Sequence, residues 1–322
     1  MAGVYGSLEK ALKLGLNITE YYAKPDPNIA RGVRGRVLNY VPVIWVPETS
    51  NPSEGVVDIY GEQRLFAFSN SGCISNPNIR KRVIGKVREV ATRLEAKALV
   101  LDALRFPSPH DGGTLYSCFC SHCRSVMKEL GVNPEELKSR LRSLVKVLHR
   151  YPYLSQDLTE ALHTWVRVRQ HVVCEVLSMI RDEARQYGLR LWAALFPPSL
   201  AWLAGQNYEP IKQSLDEAHV MLYHKCGEAA CLNHELQSLA ELITKNQDKE
   251  QARTTLRILT GLSIENPFKL EAKGLDTGII LEEVARAKAL LGGKAVPILQ
   301  LDSQGLRTAK NLQGFTKITY LA

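Results

Sequence analysis

Short apolar runs alternate with longer helical stretches along this chain, and the alternation constrains the fold more than any other feature. The short runs are almost continuously apolar, which is typical of parallel strands whose two faces are both covered. Seven strands are predicted, at 18–23, 37–46, 98–101, 189–195, 220–223, 256–259 and 296–301. A short eighth strand is expected at 3–5, ahead of the first helix.

The segments between the strands have apolar residues at helical spacing, as in 78–94 and 160–187. Such strand–helix repeats form either a closed barrel or an open, doubly wound sheet. The sequence contains neither a G-x-G-x-x-G turn nor a P-loop, the motifs that would favour the open sheet. We therefore predict one α/β domain over 1–322, a single (β/α)8 TIM barrel with long loops at the carboxyl-terminal face.

The formal net charge of +8 raises the question of a nucleic-acid partner. Arg31, Arg34 and Arg36 form one basic cluster, and 80–88 contains a second. The second cluster shares its segment with a helical apolar face, so a solvated helix surface explains it. The sequence thus favours the absence of a nucleic-acid partner and keeps a basic, nucleic-acid-associated protein as the weaker alternative.

The expected compartment depends on the lengths of the apolar segments in the chain. No segment approaches the roughly 18 to 20 apolar residues that span a bilayer, and Glu9 and Lys10 interrupt the first apolar stretch, unlike a signal peptide. We expect a cytoplasmic protein without a membrane partner. Its seven cysteines then indicate metal ligands or buried thiols rather than a disulfide framework. Cys226 and Cys231 match no common metal-ligand spacing.

The most specific local pattern is C-F-C-S-H-C at 118–123. Thiolates at C-x-C-x-x-C spacing can supply three of the four tetrahedral ligands of zinc from one turn. Cys73 is the best candidate for the fourth ligand, with His122 and His110 as alternatives. A closed shell of four thiolates has no position for water, so this zinc is expected to hold loops together rather than to react.

The surroundings of the cysteines resemble a known group of proteins. Cys73 precedes Ser75, Asn76, Pro77 and Arg80, and then come a helix, a strand ending in an acidic residue and the C-x-C-x-x-C motif. This arrangement is similar to the family 42 β-galactosidases and to related hypothetical glycosidase-like barrels, over about 17–302. The motifs at 101–107, 205–208 and 221–224 match the hypothetical group. The resemblance implies a barrel that acts on carbohydrate, with a structural zinc on Cys73, Cys118, Cys120 and Cys123.

Reactive groups of a TIM barrel lie at the carboxyl ends of its strands. Asp102 follows the apolar run 98–101, where a carboxylate is costly unless it is paired or functional, and Arg105 is a nearby cation. Family 42 enzymes have Asn-Glu at this point and use the Glu as acid/base, whereas this chain has Leu101-Asp102. A structural Asp102–Arg105 pair is the alternative to a catalytic role.

The second carboxylate is expected after the seventh strand, because clan A hydrolases carry their nucleophile there. Glu265 follows the seventh predicted strand, so the analogy makes Asp102 the acid/base and Glu265 the nucleophile. In α-amylase-like barrels the fourth-strand Asp is the nucleophile, which would exchange the two roles. An exposed Glu265 in an Asn-Pro loop is the structural alternative.

Further candidates for substrate contacts lie at the other strand ends. They are Trp45, Glu62, Arg105, Tyr223, His224 and Asp302. Aromatic rings stack on the apolar faces of sugars, and carboxylates and cations hydrogen-bond their hydroxyls. The sequence therefore indicates a glycoside hydrolase that cleaves or transfers a glycosidic bond. A barrel that binds a glycan or another polar ligand without turnover is the first alternative.

Overall fold

The computed structural model describes residues 1–94, 96–244 and 248–322. Within this part of the chain, eight parallel strands close one barrel in chain order, and the last strand pairs with the first. The strands are β1 Ala2–Tyr5, β2 Ile18–Ala23, β3 Asn39–Trp45, β4 Ala98–Asp102, β5 Arg190–Leu195, β6 Glu217–Met221, β7 Ala295–Gln300 and β8 Ile318–Leu321. The predicted (β/α)8 TIM barrel is confirmed.

Helices cover the outside of the barrel and line its loops. They are α1 Leu8–Lys13, α2 Pro27–Gly32, α3 Pro77–Arg93, α4 Ser121–Glu129, α5 Pro134–Val147, α6 Gln156–Gln186, α7 Pro198–Ala201, α8 Tyr208–Ser214, α9 Leu232–Thr244, α10 Lys249–Thr260, α11 Leu270–Lys273, α12 Thr277–Leu291 and α13 Ser303–Lys310. The longest excursions follow β3, β4 and β6, and the excursion after β3 contains a short antiparallel hairpin, Val56–Val57 with Gln63–Arg64. All three leave the carboxyl-terminal ends of their strands, as expected from the sequence.

The strand predicted at 256–259 is wrong, because these residues belong to helix α10. The buried positions of α10 are Ala252, Thr255, Leu256 and Thr260, which follow helical rather than strand spacing. A short apolar run fits either structure, and the four-residue run gave no means to choose. The missing strand is β8, so the strand at 296–301 is the seventh of the barrel and not the eighth.

Helix α3 shows how the second basic cluster is neutralised. Asn76 caps the helix by accepting a hydrogen bond from the Asn78 backbone, and Pro77 occupies its first turn. Four of the five cations at 80–88 form ion pairs with surrounding carboxylates: Arg80 with Glu175, Arg82 with Glu54, Lys86 with Glu48 and Arg88 with Glu183. These pairs support the interpretation of this cluster as a solvated helix surface.

Helix α13 packs so closely on β7 that only glycine fits at one position. A Cβ atom on Gly305 would lie 1.9 Å from the carbonyl oxygen of Gln300. We therefore expect Gly305→Ala to lower the free energy of unfolding by about 3 kcal/mol, because helix and strand would have to separate. Gly278→Ala is the matched control: its Cβ would meet nothing within 4 Å, so it should leave stability unchanged or raise it slightly. Denaturant unfolding of both variants checks this, and equal midpoints would contradict it.

Candidate active site and cysteine centre

Asp102 is the last residue of β4 and lies beside Trp45, its partner on β3. One carboxylate oxygen, Oδ1, accepts a hydrogen bond of 2.7 Å from the backbone N–H of Ala103, which has a left-handed φ of +55°. Burial raises the pKa of Asp102 above its ordinary value, and the Ala103 N–H and the charge of Arg105 partly oppose this. Asp102 is therefore a carboxyl group that keeps its proton to higher pH than usual.

Two tyrosines share the environment of Asp102. Tyr5 ends β1 and Tyr223 follows β6, so three different strands bring these groups to the carboxyl-terminal end of the barrel. Burial raises the pKa of Tyr5 and of Tyr223, and the nearby charge of Asp102 raises both further. Both hydroxyls therefore stay protonated and can donate hydrogen bonds. Tyr223 was predicted from the sequence, whereas Tyr5, which lies in the shortest predicted strand, was not.

A chain of buried polar groups continues from Tyr5 through the barrel. The Tyr5 hydroxyl lies 2.8 Å from Nδ1 of His219, and Nε2 of His219 lies 3.1 Å from Glu217. Lys317 follows, with its Nζ 2.7 Å from both Glu217 and Glu20. Burial lowers the pKa of His219, so the ring is neutral. If Nε2–H donates to Glu217, then Nδ1 accepts the Tyr5 proton, and this arrangement fixes the orientation of the Tyr5 hydroxyl.

A second pair of site residues lies at the ends of β6 and β7. Nε2 of His224 is 3.2 Å from Oδ2 of Asp302, and Oδ1 of Asp302 accepts a hydrogen bond of 2.8 Å from the Gly305 backbone at the start of α13. Burial lowers the pKa of His224, so its ring is neutral. Asp302 lies at the end of the seventh strand, where the sequence had predicted the eighth.

Arg105 is locked in the loop after β4. Its guanidinium stacks on the rings of Phe66 and Phe196 at 5.3 and 4.9 Å, donates to the carbonyl of Phe106 and lies 3.5 Å from Asp111. In the described part of the chain its ion pair is with Asp111 and not with Asp102. The structural alternative, a direct Asp102–Arg105 pair, is therefore wrong, although Arg105 still acts on the pKa of Asp102.

An aromatic pair lies beside Asp102. Trp45 packs edge-on to Phe68 with ring centroids 6.0 Å apart, and its indole N–H donates to the hydroxyl of Ser71. Phe68 is 55% exposed, and three successive residues, 67–69, have positive φ. This unusual turn presents the Phe68 ring to solvent, and no sequence pattern had identified it.

Two other predicted carboxylates lie elsewhere. Glu62 is exposed on the hairpin and pairs with Arg64. Glu265 is exposed beyond α10 and lines a surface depression with Glu250 and Arg253. Because the strand predicted before Glu265 is a helix, Glu265 does not follow a barrel strand, and the structural premise for its choice as nucleophile is wrong.

Four buried cysteines lie where the excursion after β3 contacts the excursion after β4. The Sγ atoms of Cys73, Cys118, Cys120 and Cys123 all lie within 4.8 Å of one another. Cys73 precedes α3, and the other three lie at the start of α4. Tetrahedral zinc with bonds of about 2.3 Å requires sulfur separations of about 3.8 Å, and Cys73 lies 3.4 Å from Cys123 and 3.6 Å from Cys120. The four residues therefore fit a zinc ion.

The polar contacts of the cluster also suit thiolates. The Cys118 sulfur accepts N–H groups of Val57 and Cys120 at 3.4 Å, and Cys123 contacts the Ser75 hydroxyl at 3.2 Å. Cys73 occupies the fourth position, as the sequence favoured. The alternative ligand His110 instead packs against His234, with ring centroids 4.7 Å apart.

Cys226 and Cys231 form a disulfide in the loop after β6. This bond corrects the expectation that the cysteines are only metal ligands or buried thiols. The spacing of five residues gave no signal for it, because the pairing depends on the loop turning back before α9. No helix within the described residues is long and apolar enough to cross a membrane.

Comparisons with known proteins bear on the fold. The sequence matches no protein-family model and no curated protein. Among solved structures, the chain is similar to the PgaB (BpsB) glycoside hydrolase domain from Bordetella bronchiseptica, with a TM-score of 0.54 and 14% identity over 94% of this chain and 82% of that one. It is also similar to the β-galactosidase from the psychrophilic Marinomonas ef1, with a TM-score of 0.56 and 12% identity over 99% of this chain and 53% of that one.

These similarities define the class of fold. This chain spans about half the length of the Marinomonas β-galactosidase. Together with the closed parallel barrel, they show a glycoside-hydrolase-like TIM barrel, and the resemblance expected from the sequence is confirmed at the level of the fold.

Proposed function

We propose that the protein is a glycoside hydrolase that cleaves or transfers a glycosidic bond at the carboxyl-terminal end of its barrel. The observation that carries this proposal is the environment of Asp102, a carboxyl group at the end of β4 whose pKa is raised by burial beside Tyr5 and Tyr223. A carboxyl group that keeps its proton to higher pH than usual suits protonation of a leaving-group oxygen. Asp102 is therefore the proposed general acid.

Asp302 is the proposed second carboxylate and replaces Glu265 in that role. It follows β7, the strand on which clan A hydrolases carry their nucleophile, and its Oδ1 accepts the Gly305 N–H while His224 lies 3.2 Å from its Oδ2. Glycosidic cleavage requires a carboxyl group that donates a proton and a carboxylate that attacks the sugar directly or activates water. His224, whose Nε2 lies 3.2 Å from Oδ2 of Asp302, is the proposed positioning residue for that carboxylate.

The proposed carbohydrate site uses the remaining groups in supporting roles. Trp45 and Phe68 offer ring surfaces against which an apolar sugar face can stack. Tyr223 is a hydroxyl donor beside Asp102. Arg105 is buried and shapes the loop from below, so its proposed contribution is positioning and charge rather than direct contact with sugar. A sugar contact by Glu62 stays a prediction.

The four cysteines are proposed to hold one structural zinc. Their thiolates fill a tetrahedral shell, which leaves no place for a substrate or a water molecule. The ion would join the excursion after β3 to the excursion after β4, and these segments carry Phe68 and Arg105. Its proposed role is therefore to fix the loops around the mouth of the barrel.

Turnover of synthetic glycosides tests the proposed function. We expect the purified protein to hydrolyse at least one member of a panel of aryl α- and β-glycosides that covers neutral, amino and acidic sugars, because the acid and the second carboxylate are both present. Asp302→Asn should remove that activity. In the wild type, NMR of the first-formed anomer shows whether the anomeric configuration is retained or inverted. Absence of turnover with every donor, and with oligosaccharides, would contradict the proposal.

A glycan-binding barrel without turnover is the second candidate. It is favoured by one observation: Oδ1 of Asp302 already accepts the backbone N–H of Gly305 and caps α13. This candidate predicts glycan binding by calorimetry that is lost in Trp45→Ala, with no hydrolysis. The third candidate, a nucleic-acid-associated protein, is weakened by the ion pairs that neutralise the basic cluster on α3.

The location in the cytoplasm stays a prediction. Reduced zinc thiolates suit the cytosol, whereas the Cys226–Cys231 disulfide is of a kind more common in oxidising compartments.

A further inference from the structure

The Cys226–Cys231 disulfide lies next to the pair formed by His224 and Asp302. The two cysteines are bonded in the loop between β6 and α9, so the bond closes the segment 226–231 into a ring. Nε2 of His224 lies 3.2 Å from Oδ2 of Asp302, and His224 comes two residues before Cys226. A change in the state of this bond therefore occurs close to the proposed carbohydrate site.

The closed loop is hydrogen-bonded to two neighbouring parts of the barrel mouth. Gln300, the last residue of β7, accepts the backbone N–H of Lys225 at 2.8 Å and donates its side-chain N–H to the carbonyl of Lys225. Glu235 on α9 is fully buried, and its Oε1 accepts the N–H of Ala230 at 2.8 Å. The same oxygen accepts the hydroxyl of Ser108, in the loop after β4, at 2.7 Å. The conformation of the loop is thus linked to the ends of β4, β6 and β7.

The two sulfur atoms of the bond differ in access to solvent. Cys226 is half-buried and lies between the exposed residues Lys225 and Gly227. Cys231 is buried, with an exposed fraction of 3%. Thiol–disulfide exchange begins when a thiolate attacks a sulfur atom that it can reach. The accessible Cys226 is therefore the sulfur that is attacked, and Cys231 is the sulfur that leaves.

The surroundings of Cys231 suit a leaving thiolate. Cys231 directly precedes α9, and its carbonyl accepts the N–H of Glu235 at 2.9 Å, so it occupies the position that caps this helix. Its sulfur also accepts the backbone N–H of Glu228 at 3.4 Å. This N–H and the positive end of the helix dipole both stabilise a negative charge on the sulfur. Exchange is faster when the leaving thiolate is more stable.

We propose that Cys226 and Cys231 form a thiol–disulfide exchange site for a small thiol reductant, and that its state controls the loop beside His224. A reductant thiolate attacks Cys226, the S–S bond breaks, and its electron pair stays on Cys231, which takes up a proton. A second reductant thiolate then attacks the reductant sulfur of the mixed disulfide and releases Cys226, which is also protonated. The cystine gains two electrons and two protons, and two reductant thiols become one disulfide.

Reduction opens the ring 226–231 and so weakens the contacts of Lys225 and Ala230 that depend on its closed form. The exchange itself does not depend on the proposed hydrolase function, so the two proposals are tested separately.

Equilibration of the folded protein with mixtures of reduced and oxidised glutathione tests the exchange. After acid quenching and alkylation, mass spectrometry measures the oxidised fraction of the Cys226–Cys231 pair. We expect a reversible change from disulfide to two thiols as the proportion of reduced glutathione rises, with the fold retained by circular dichroism. Cys174→Ser is the control and should give the same curve, because Cys174 lies outside this loop on α6. A pair that stays oxidised, or stays reduced, at every ratio overturns the proposal.

Two single variants test the order of attack. Cys231→Ser leaves the accessible Cys226, which should form a mixed disulfide with oxidised glutathione. Cys226→Ser leaves the buried Cys231, which should react at least about tenfold more slowly. Both rates are measured by mass spectrometry on the folded variants. Equal rates, or a faster reaction of Cys226→Ser, would contradict the assignment of Cys226 as the sulfur that is attacked.

NMR of the histidine side chains tests the control of the loop beside His224. The imidazole signal of His224, assigned with His224→Gln, should differ between the oxidised and the reduced protein. The signal of His171, exposed on α6, is the internal control and should not change. The double variant Cys226→Ser/Cys231→Ser should reproduce the reduced signal of His224. An identical His224 signal in both redox states would overturn the proposed control, whether or not the protein hydrolyses glycosides.

Discussion

Cys118→Ser is expected to abolish zinc binding and to lower the free energy of unfolding by at least about 3 kcal/mol. Four buried sulfur atoms lie within 4.8 Å of one another, and a tetrahedral zinc shell cannot close when one thiolate is lost. The Cys118 sulfur also accepts the backbone N–H of Val57, so the substitution weakens the contact between the excursion after β3 and the excursion after β4. Zinc binding is coupled to folding at such a site, because the unfolded chain does not hold the four thiolates together.

Metal analysis of the purified protein measures the first part of this result and thermal unfolding measures the second. Cys174→Ser is the matched control, because Cys174 is a free cysteine on α6 outside the cluster. The wild type and Cys174→Ser should each contain one zinc per chain, and a chelator should lower their melting temperatures. If the wild type contains no zinc, or if Cys118→Ser contains as much as the control, the proposed zinc site is wrong.

The barrel could be predicted from the sequence because its strands are apolar on both faces. Runs such as 98–101 and 189–195 are almost wholly apolar, and β4 and β5 lie there. The prediction failed where a short run contains a polar residue, as at Arg257 and Thr319. The four residues of β8 include Thr319, whose side chain is buried and donates to the Pro297 carbonyl, so polarity concealed the strand. The run 256–259 was mistaken for a strand because it carries apolar residues from the face that helix α10 buries.

The candidate site could be predicted only where residues are close in sequence. The cysteine motif was recognised from its spacing, and Asp102 from its position after an apolar run. The polar chain from Tyr5 through His219 to Lys317 joins residues more than 200 positions apart. Such contacts exist only after the barrel closes, and no periodicity marks them in advance. The same holds for Asp302, whose place at the seventh strand depended on the count of strands.

Asp102→Asn is expected to lower kcat/KM for an aryl glycoside by about 10²- to 10⁴-fold, the contribution of a general acid. The loss in kcat/KM should be smaller for aryl glycosides with good leaving groups than for those with poor ones, because a good leaving group needs less protonation. Glu265→Gln is the control: Glu265 is exposed beyond α10 and should be dispensable. A loss of activity in Glu265→Gln as well as in Asp102→Asn would return the assignment to the one made from sequence.

The pH dependence of activity and of the melting temperature in Asp102→Asn distinguishes a catalytic role of Asp102 from a structural one. Burial raises the pKa of Asp102 in the folded protein above its ordinary value of 3.8. The native state therefore holds this proton more tightly than the unfolded chain, and the stability from it is lost as pH rises through the folded pKa. An asparagine cannot ionise, so Asp102→Asn should match or exceed the wild-type melting temperature at neutral pH while activity falls. The basic limb of the wild-type pH–rate profile should disappear in the variant. A variant that is both inactive and unfolded at neutral pH would instead make Asp102 a structural residue of the barrel.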